Sequence, residues 1–161
     1  MHKIKKEFYL KLIFLISFTA IISAYYIEYI LGYQPCNLCL IERIPYALAL
    51  LILIINFKFK NNEKFLVILL MLTFFFSLLI SVYHFGIEED FFQESTICDV
   101  KNSTSILSKQ ELLLELQKNR VSCKDVTFRI FGLSLTSINI FINLIFLSLL
   151  TKIFIFYEKI K

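Results

Sequence analysis

The sequence predicts an all-α integral membrane protein: a four-transmembrane-helix bundle with a short amphipathic helix in its second outer loop. Three observations predict it. The 161 residues are 58% hydrophobic, with a mean hydropathy of +0.72, more apolar surface than a soluble domain of this size can hide. Only three Gly and two Pro interrupt the chain, and there is no repeat or flexible linker, so it reads as one domain. Four long apolar runs remain, three of them comfortably long enough to cross a hydrocarbon core, which takes roughly 20 residues of helix.

The first span covers about residues 12–31, and its only acid, Glu28, lies near its end. Lys3–Lys6, the apolar run and Ser23-Ala24 imitate a signal peptide. The run is longer than an ordinary signal core and continues through Tyr25–Leu31, so it is read as a span. Gly32 and Pro35 end this helix and start the next segment, giving a short outer loop at about 32–39. The second span, about 40–57, carries Glu42 and Arg43 near its start. It is short, so its first turn lies at the interface, where Arg43 can snorkel. Lys58–Lys64 is a tight hydrophilic turn. The third span, about 65–85, holds no charge, and the fourth, about 130–156, holds only Lys152 near its end. Between them lies the large outer loop, about 86–129, which opens with Glu88-Glu89-Asp90. Within it, Ser108-Lys109-Gln110-Glu111 has the form of a capping box. Leu112, Leu113 and Leu116 follow on one face, with Glu111, Glu115 and Lys118 elsewhere on the wheel, so this is the amphipathic helix.

Charge orients the bundle. With both termini and the 58–64 loop on one side, that side carries ten basic and three acidic residues, net +7. The other side carries seven basic and ten acidic residues, net −3. The positive-inside rule puts both termini in the cytoplasm. All four cysteines, Cys36, Cys39, Cys98 and Cys123, then fall outside, where thiols argue for disulfide chemistry. Nothing in the pattern points to a nucleic-acid partner. The lipid bilayer is the partner that the composition demands.

Pro35-Cys36-Asn37-Leu38-Cys39-Leu40-Ile41-Glu42-Arg43 carries the chemistry. A Cys-x-x-Cys pair closes as a disulfide or opens as a dithiol, and so carries two electrons. At the mouth of a span it meets lipid-soluble electron acceptors. The alternatives are an inert disulfide or half of a zinc site, which Cys98 and Cys123 could complete as a set of four ligands. No His follows Cys39, which removes c-type haem attachment. Cys39 and Arg43 stand at i and i+4 and share a helix face. A fixed positive charge there favours the Cys39 thiolate and stabilises charge building on a quinone oxygen; the plainer role is an interfacial anchor. Cys98 and Cys123 are either a structural staple of a mobile loop or the second half of a disulfide relay. His84, at the outer end of the third span, is either a quinone hydrogen-bond partner or proton donor, or an ordinary interfacial anchor. Glu42 and Glu88 read as solvated or ion-paired.

Together these residues resemble the disulfide bond formation protein B family (DsbB, with its DsbI relatives). The resemblance runs over nearly the whole length. It rests on Pro35-Cys36-x-x-Cys39-x-x-Glu42-Arg43, Tyr83-His84-x-Gly86-Ile87-Glu88, Cys98, Cys123, and Phe131-Gly132-Leu133-Ser134 with Asn139. It implies a bacterial inner-membrane enzyme with periplasmic cysteines, which reoxidises a periplasmic DsbA-like thiol oxidase and passes the electrons to the membrane quinone pool. Cys36 and Cys39 would form the quinone-facing disulfide, with Cys39 engaging ubiquinone or menaquinone beside Arg43. Cys98 and Cys123 would form the loop disulfide. The partner would attack Cys98, freeing Cys123 to exchange with Cys36. No bound metal would be needed. The chain has no Trp, and Phe91-Phe92 would stand where relatives often place it near the quinone. Two rival readings are a vitamin K epoxide reductase-like enzyme, whose redox motif usually opens the last span, and a non-enzymatic membrane protein stapled by disulfides or binding zinc.

Overall fold

The computed structural model of the chain describes residues 2–58, 63–93, 98, 121–125, 128–130 and 132–159. Within them, four helices are long and apolar enough to cross a membrane. They are α1 (His2–Tyr29), α2 (Asn37–Lys58), α3 (Glu63–Glu88) and α4 (Leu135–Lys159). Their apolar stretches of 21 to 26 residues reach about 31–39 Å at ~1.5 Å per residue, enough for a hydrocarbon core of roughly 30 Å. The chain is an all-α, four-helix, multi-pass membrane protein.

The helix ends have local causes. After α1, Gly32 adopts φ +77°, a left-handed conformation that costs glycine nothing, and the chain turns toward Pro35. Helix α2 starts at Asn37, earlier than the apolar run alone suggests, with Leu40 N–H donating to the Cys36 carbonyl at 3.2 Å. Cys36 is therefore the residue on which α2 begins. Pro45 lies inside α2 and has no N–H to donate, an interruption that membrane helices accept because neighbours re-satisfy the backbone. Helix α3 ends where the N–H groups of Phe91 and Phe92 both return to the Gly86 carbonyl, at 2.8 and 3.0 Å. Helix α4 begins at Leu135 rather than near residue 130. Before it, β1 (Arg129–Ile130) pairs antiparallel with β2 (Leu133–Ser134), Arg129 opposite Ser134. Gly132, at φ +84°, makes that reversal possible. An apolar run cannot distinguish such a hairpin from helix, because both bury the same residue types. The expected amphipathic helix at 108–118 lies outside the described residues.

The main core runs through the middle of the bundle. Phe74 and Phe146 are fully buried and meet edge to face, with ring centroids 4.6 Å apart. Ile13, Leu53, Leu70 and Leu150 close around them. The outward faces stay apolar, as with Phe75, Phe76, Leu79 and Val82 of α3, which is the pattern of a lipid-facing surface. An ion pair between Lys6 and Glu63 ties the start of α1 to the start of α3. A second, smaller core lies at the other end, where Cys36, Leu38, Ile87, Cys98 and Cys123 are buried together. The fold gathers its sulfur there.

Gly86 fixes one edge of that second core. A Cβ at this position would overlap the Phe92 ring, which stacks on Tyr83 at 5.7 Å. Gly86→Ala is expected to push Phe92 off Tyr83 and cost about 1 kcal/mol, the worth of an aromatic pair. A lowered thermal midpoint in detergent, with helix content unchanged, checks this.

Candidate active site

Cys36 and Cys39 occupy the first turn of α2 because the motif sits directly behind Pro35. One helical turn brings i and i+3 side chains together, and the two sulfurs approach to 2.7 Å. Cys36 Sγ also accepts the Cys39 backbone N–H at 3.2 Å, as a capping side chain would at a helix start. The hydrogen bond from the Cys39 side chain holds the Cys36 thiol below its ordinary pKa, and the backbone donors at the helix start add to this against the opposing effect of burial. While the pair is a dithiol, these donors favour a thiolate at Cys36.

Behind Cys36 stands His84, 1% exposed. Its Nε2 lies 3.5 Å from Cys36 Sγ. Its Nδ1 faces Glu42 Oε1 at 3.0 Å and Thr136 Oγ1 at 3.2 Å. The Thr136 hydroxyl donates its hydrogen to Glu88 Oε1 at 2.6 Å, so toward His84 it can only accept. Both neighbours of Nδ1 are therefore acceptors, which places a proton on Nδ1 and aims Nε2 at the sulfur. The second oxygen of Glu42 accepts from Asn139 Nδ2 at 2.9 Å. Asn139 also donates to Ser81 Oγ at 2.8 Å and accepts from the Tyr46 hydroxyl. Thiol, imidazole and carboxylate are thus connected in sequence, an arrangement able to move a proton to or from Cys36.

Cys39 faces the other way, into a cavity of about 370 Å³ between α1, α2 and α4. The α1 and α4 walls supply Ile16, Ala20, Ile27, Ile138 and Ile142. The polar groups that α2 and α4 present to it are Cys39, Glu42, Arg43, Tyr46, Thr136 and Asn139. A volume of this kind, apolar with a few converging polar groups, suits a small ring-shaped ligand. Cys39 and Arg43 share the cavity wall, as their spacing predicts. The Arg43 guanidinium, however, meets Glu28 Oε2 at 2.5 Å and covers the Tyr25 ring at 5.1 Å.

Several residues sit differently from their sequence readings. His84 does not line the cavity; it touches Cys36 and reaches the cavity only through Glu42 and Thr136. Glu42 is buried rather than solvated, and its pairing with His84 follows the second of its two readings. Phe91 and Phe92 do not line the cavity either, Phe92 being committed to Tyr83. Glu28, Tyr46, Ser81 and Thr136 join the site through these contacts, as does Asn139, which the sequence marks only through the family resemblance. Their signal was nonetheless present: polar side chains inside apolar spans face the bundle interior and pair with one another.

Cys98 and Cys123 are disulfide-bonded, with Cα atoms 5.5 Å apart. Both are 2% exposed and pack in the same apolar cluster as Cys36. Bonded to each other, they do not complete a four-cysteine metal site. Lys124, next to Cys123, pairs with Asp90 beyond the end of α3. This contact anchors the described part of the loop beside the dithiol.

The family model described as disulfide bond formation protein DsbB matches residues 6–153. An uncharacterized protein of Rickettsia prowazekii (strain Madrid E) is 34% identical over 165 residues, covering 97% of this chain and 93% of that protein. No solved structure matches the chain.

The lowered Cys36 pKa has a measurable consequence. In the reduced protein, Cys36 should alkylate with iodoacetamide down to a pH below the midpoint of an ordinary thiol, about 8.5. Cys39→Ala removes the principal hydrogen-bond donor and should move the midpoint upward. Alkylation rate against pH, with the modified residue read by mass spectrometry, checks both. An unchanged midpoint would separate Cys36 from its neighbour.

Proposed function

The chain belongs to the disulfide bond formation protein DsbB family of membrane thiol oxidoreductases, and from that premise we propose that it reoxidises a periplasmic DsbA-type thiol oxidase and delivers the electrons to a membrane quinone. The observation that carries this reading is the position of the Cys36–Cys39 pair. It stands between two environments, a buried cluster shared with the Cys98–Cys123 disulfide and an apolar cavity lined by Cys39.

In the proposed reaction the partner's thiolate attacks Cys98. A mixed disulfide forms, and Cys123 leaves as a thiolate. The partner's second thiol then closes its own disulfide and releases Cys98, so two electrons have entered the loop pair. Exchange with the Cys36–Cys39 disulfide restores Cys98–Cys123 and leaves the membrane-edge pair as a dithiol. Clustering of these cysteines in one apolar pocket supplies the proximity that exchange needs. The cavity fits a quinone ring at its polar end, and its apolar length between α1 and α4 suits an isoprenoid tail. When bound there, ubiquinone or menaquinone would accept two electrons and two protons. Cys39 presents its sulfur to that space. Arg43, steered by Glu28, would face the oxygen that gains charge. His84, backed by Glu42, would hold or release the Cys36 proton as the disulfide re-forms. The proposed location is the bacterial inner membrane, with both termini cytoplasmic and the cysteines periplasmic, as the charge distribution supports.

The purified protein in detergent, given a soluble quinone and a reduced DsbA-type partner, tests the reading through loss of quinone absorbance. Wild type is expected to turn over, and Cys39→Ser and Cys98→Ser to stop. Arg43→Ala is expected to need roughly tenfold more quinone or above, the worth of a charge-assisted hydrogen bond. Wild type that is inert with every thiol donor, or Cys39→Ser that turns over normally, would overturn it.

A further inference from the structure

We propose that the reduced Cys36–Cys39 pair and His84 together form a binding site for a soft divalent cation, Zn²⁺ first among them, that exists only while the pair is reduced. The inference requires that this pair cycle between dithiol and disulfide. It does not depend on which acceptor reoxidises it, nor on the partner.

The three ligand atoms, two Sγ and Nε2, lie within 4.8 Å of one another. Tetrahedral zinc, with Zn–S near 2.3 Å and Zn–N near 2.0 Å, holds S and N ligands about 3.5 Å apart. Nε2 of His84 is already 3.5 Å from Cys36 Sγ. The two sulfurs, now 2.7 Å apart, must open to about 3.8 Å for the same geometry. Rotation of Cys39 about χ1 can supply this, because that side chain is only partly buried and borders the cavity.

The histidine is prepared for the role. Its Nδ1–H is committed to Glu42, so in the neutral ring Nε2 carries the lone pair and points at the sulfurs. A carboxylate behind a ligating histidine is the usual support of a zinc site, fixing tautomer and orientation and raising basicity. Asn139 holds that carboxylate in turn. Three protein ligands leave one coordination position, as in catalytic zinc centres, and solvent entering past Cys39 would occupy it.

Charge balances without any electron transfer. Zn²⁺ replaces the two thiol protons, which leave to solvent, and the two thiolates neutralise the cation. The metal with its two thiolates and imidazole is neutral in itself, and Glu42 and Glu88 stand beside it, one oxygen of Glu88 lying 3.8 Å from His84 Nε2. The disulfide form has no thiolate to offer, so the site vanishes on oxidation. Metal and oxidant therefore compete for the same two sulfurs. A cation bound to the reduced enzyme would arrest it before reoxidation, an inhibited state rather than a cofactor-loaded one.

The test uses the full chain carrying Cys98→Ser and Cys123→Ser, which removes the loop sulfurs, reduced with a phosphine and titrated with Co²⁺. One Co²⁺ per chain is expected, with tetrahedral d–d bands and thiolate-to-cobalt charge transfer, both displaced by Zn²⁺. The same protein oxidised to the Cys36–Cys39 disulfide should give neither signal; this comparison needs no further variant and so survives any folding defect. Glu42→Gln should weaken binding about tenfold through the histidine, and His84→Ala should weaken it further. Identical weak spectra in both redox states would overturn the proposal, as would unchanged affinity in a folded His84→Ala protein. Quinone turnover by the wild-type chain with its thiol partner, alongside absent cobalt binding in the loop-serine variant, would remove this inference alone and leave the proposed function standing.

Discussion

A buried carboxylate in a membrane bundle must find its hydrogen-bond donors inside the protein, and the cysteine-bearing half of this structure follows from how Glu42 finds them. Lipid offers no compensation for an unpaired polar group. Oε1 of Glu42, on α2, takes the His84 ring from α3, and Oε2 takes the Asn139 amide from α4. Three helices are thereby locked in rotation and height at one point. Asn139 extends the lock to Ser81 and Tyr46, and Thr136 extends it through Glu88 back to α3. Among the described residues, one oxygen of Glu88 is the atom of this group left without a partner.

Helix α1 stands outside that lock, and the cavity is the result. Its contribution near the site is Glu28, which reaches Arg43 of α2, and Tyr25, which lies under the guanidinium. Helix α1 packs mainly on α2, while α3 and α4 form the most extensive pair. A gap therefore persists between α1 and α4, walled by aliphatic side chains. The same packing of α3 against α2 and α4 that positions His84 leaves the other side of Cys39 open. One structural asymmetry thus gives the two cysteines different surroundings: Cys36 a buried base, Cys39 a pocket.

How much of this was legible in the sequence depended on the physical signal. The four helices were legible because length and hydropathy state the solvent directly. The fourth helix began later than expected because Ile130 and Leu133 are as apolar in a hairpin as in a helix, and Gly132 was the sole cue to the turn. The dithiol was legible because Cys-x-x-Cys at a helix start brings its sulfurs together by local geometry alone. The roles of His84 and Glu42 were less legible, since each depends on a contact across helices: 42 residues separate Glu42 from His84, and 97 separate it from Asn139. Arg43 illustrates the same limit. Its spacing from Cys39 placed it on the correct wall, but its pairing with Glu28 of α1 is a tertiary fact that no spacing on α2 contains.

The opposed surroundings of the two sulfurs also give the proposed relay a direction. In that proposal, exchange with the loop disulfide would fall to Cys36, which is buried in the same cluster as Cys98 and Cys123. Attack at Cys36 makes Cys39 the leaving group, and Cys39 is the sulfur that faces the cavity. The negative charge that the proposed exchange produces would then emerge at the cavity, while His84 and the helix start stay with Cys36. A pair with reversed roles would release its thiolate into the buried cluster, away from any acceptor. Proximity to Arg43 on the shared wall then matters at one moment only, when Cys39 is free and charged. Pairing of the guanidinium with Glu28 keeps it in place between such moments and spares the buried wall an uncompensated cation.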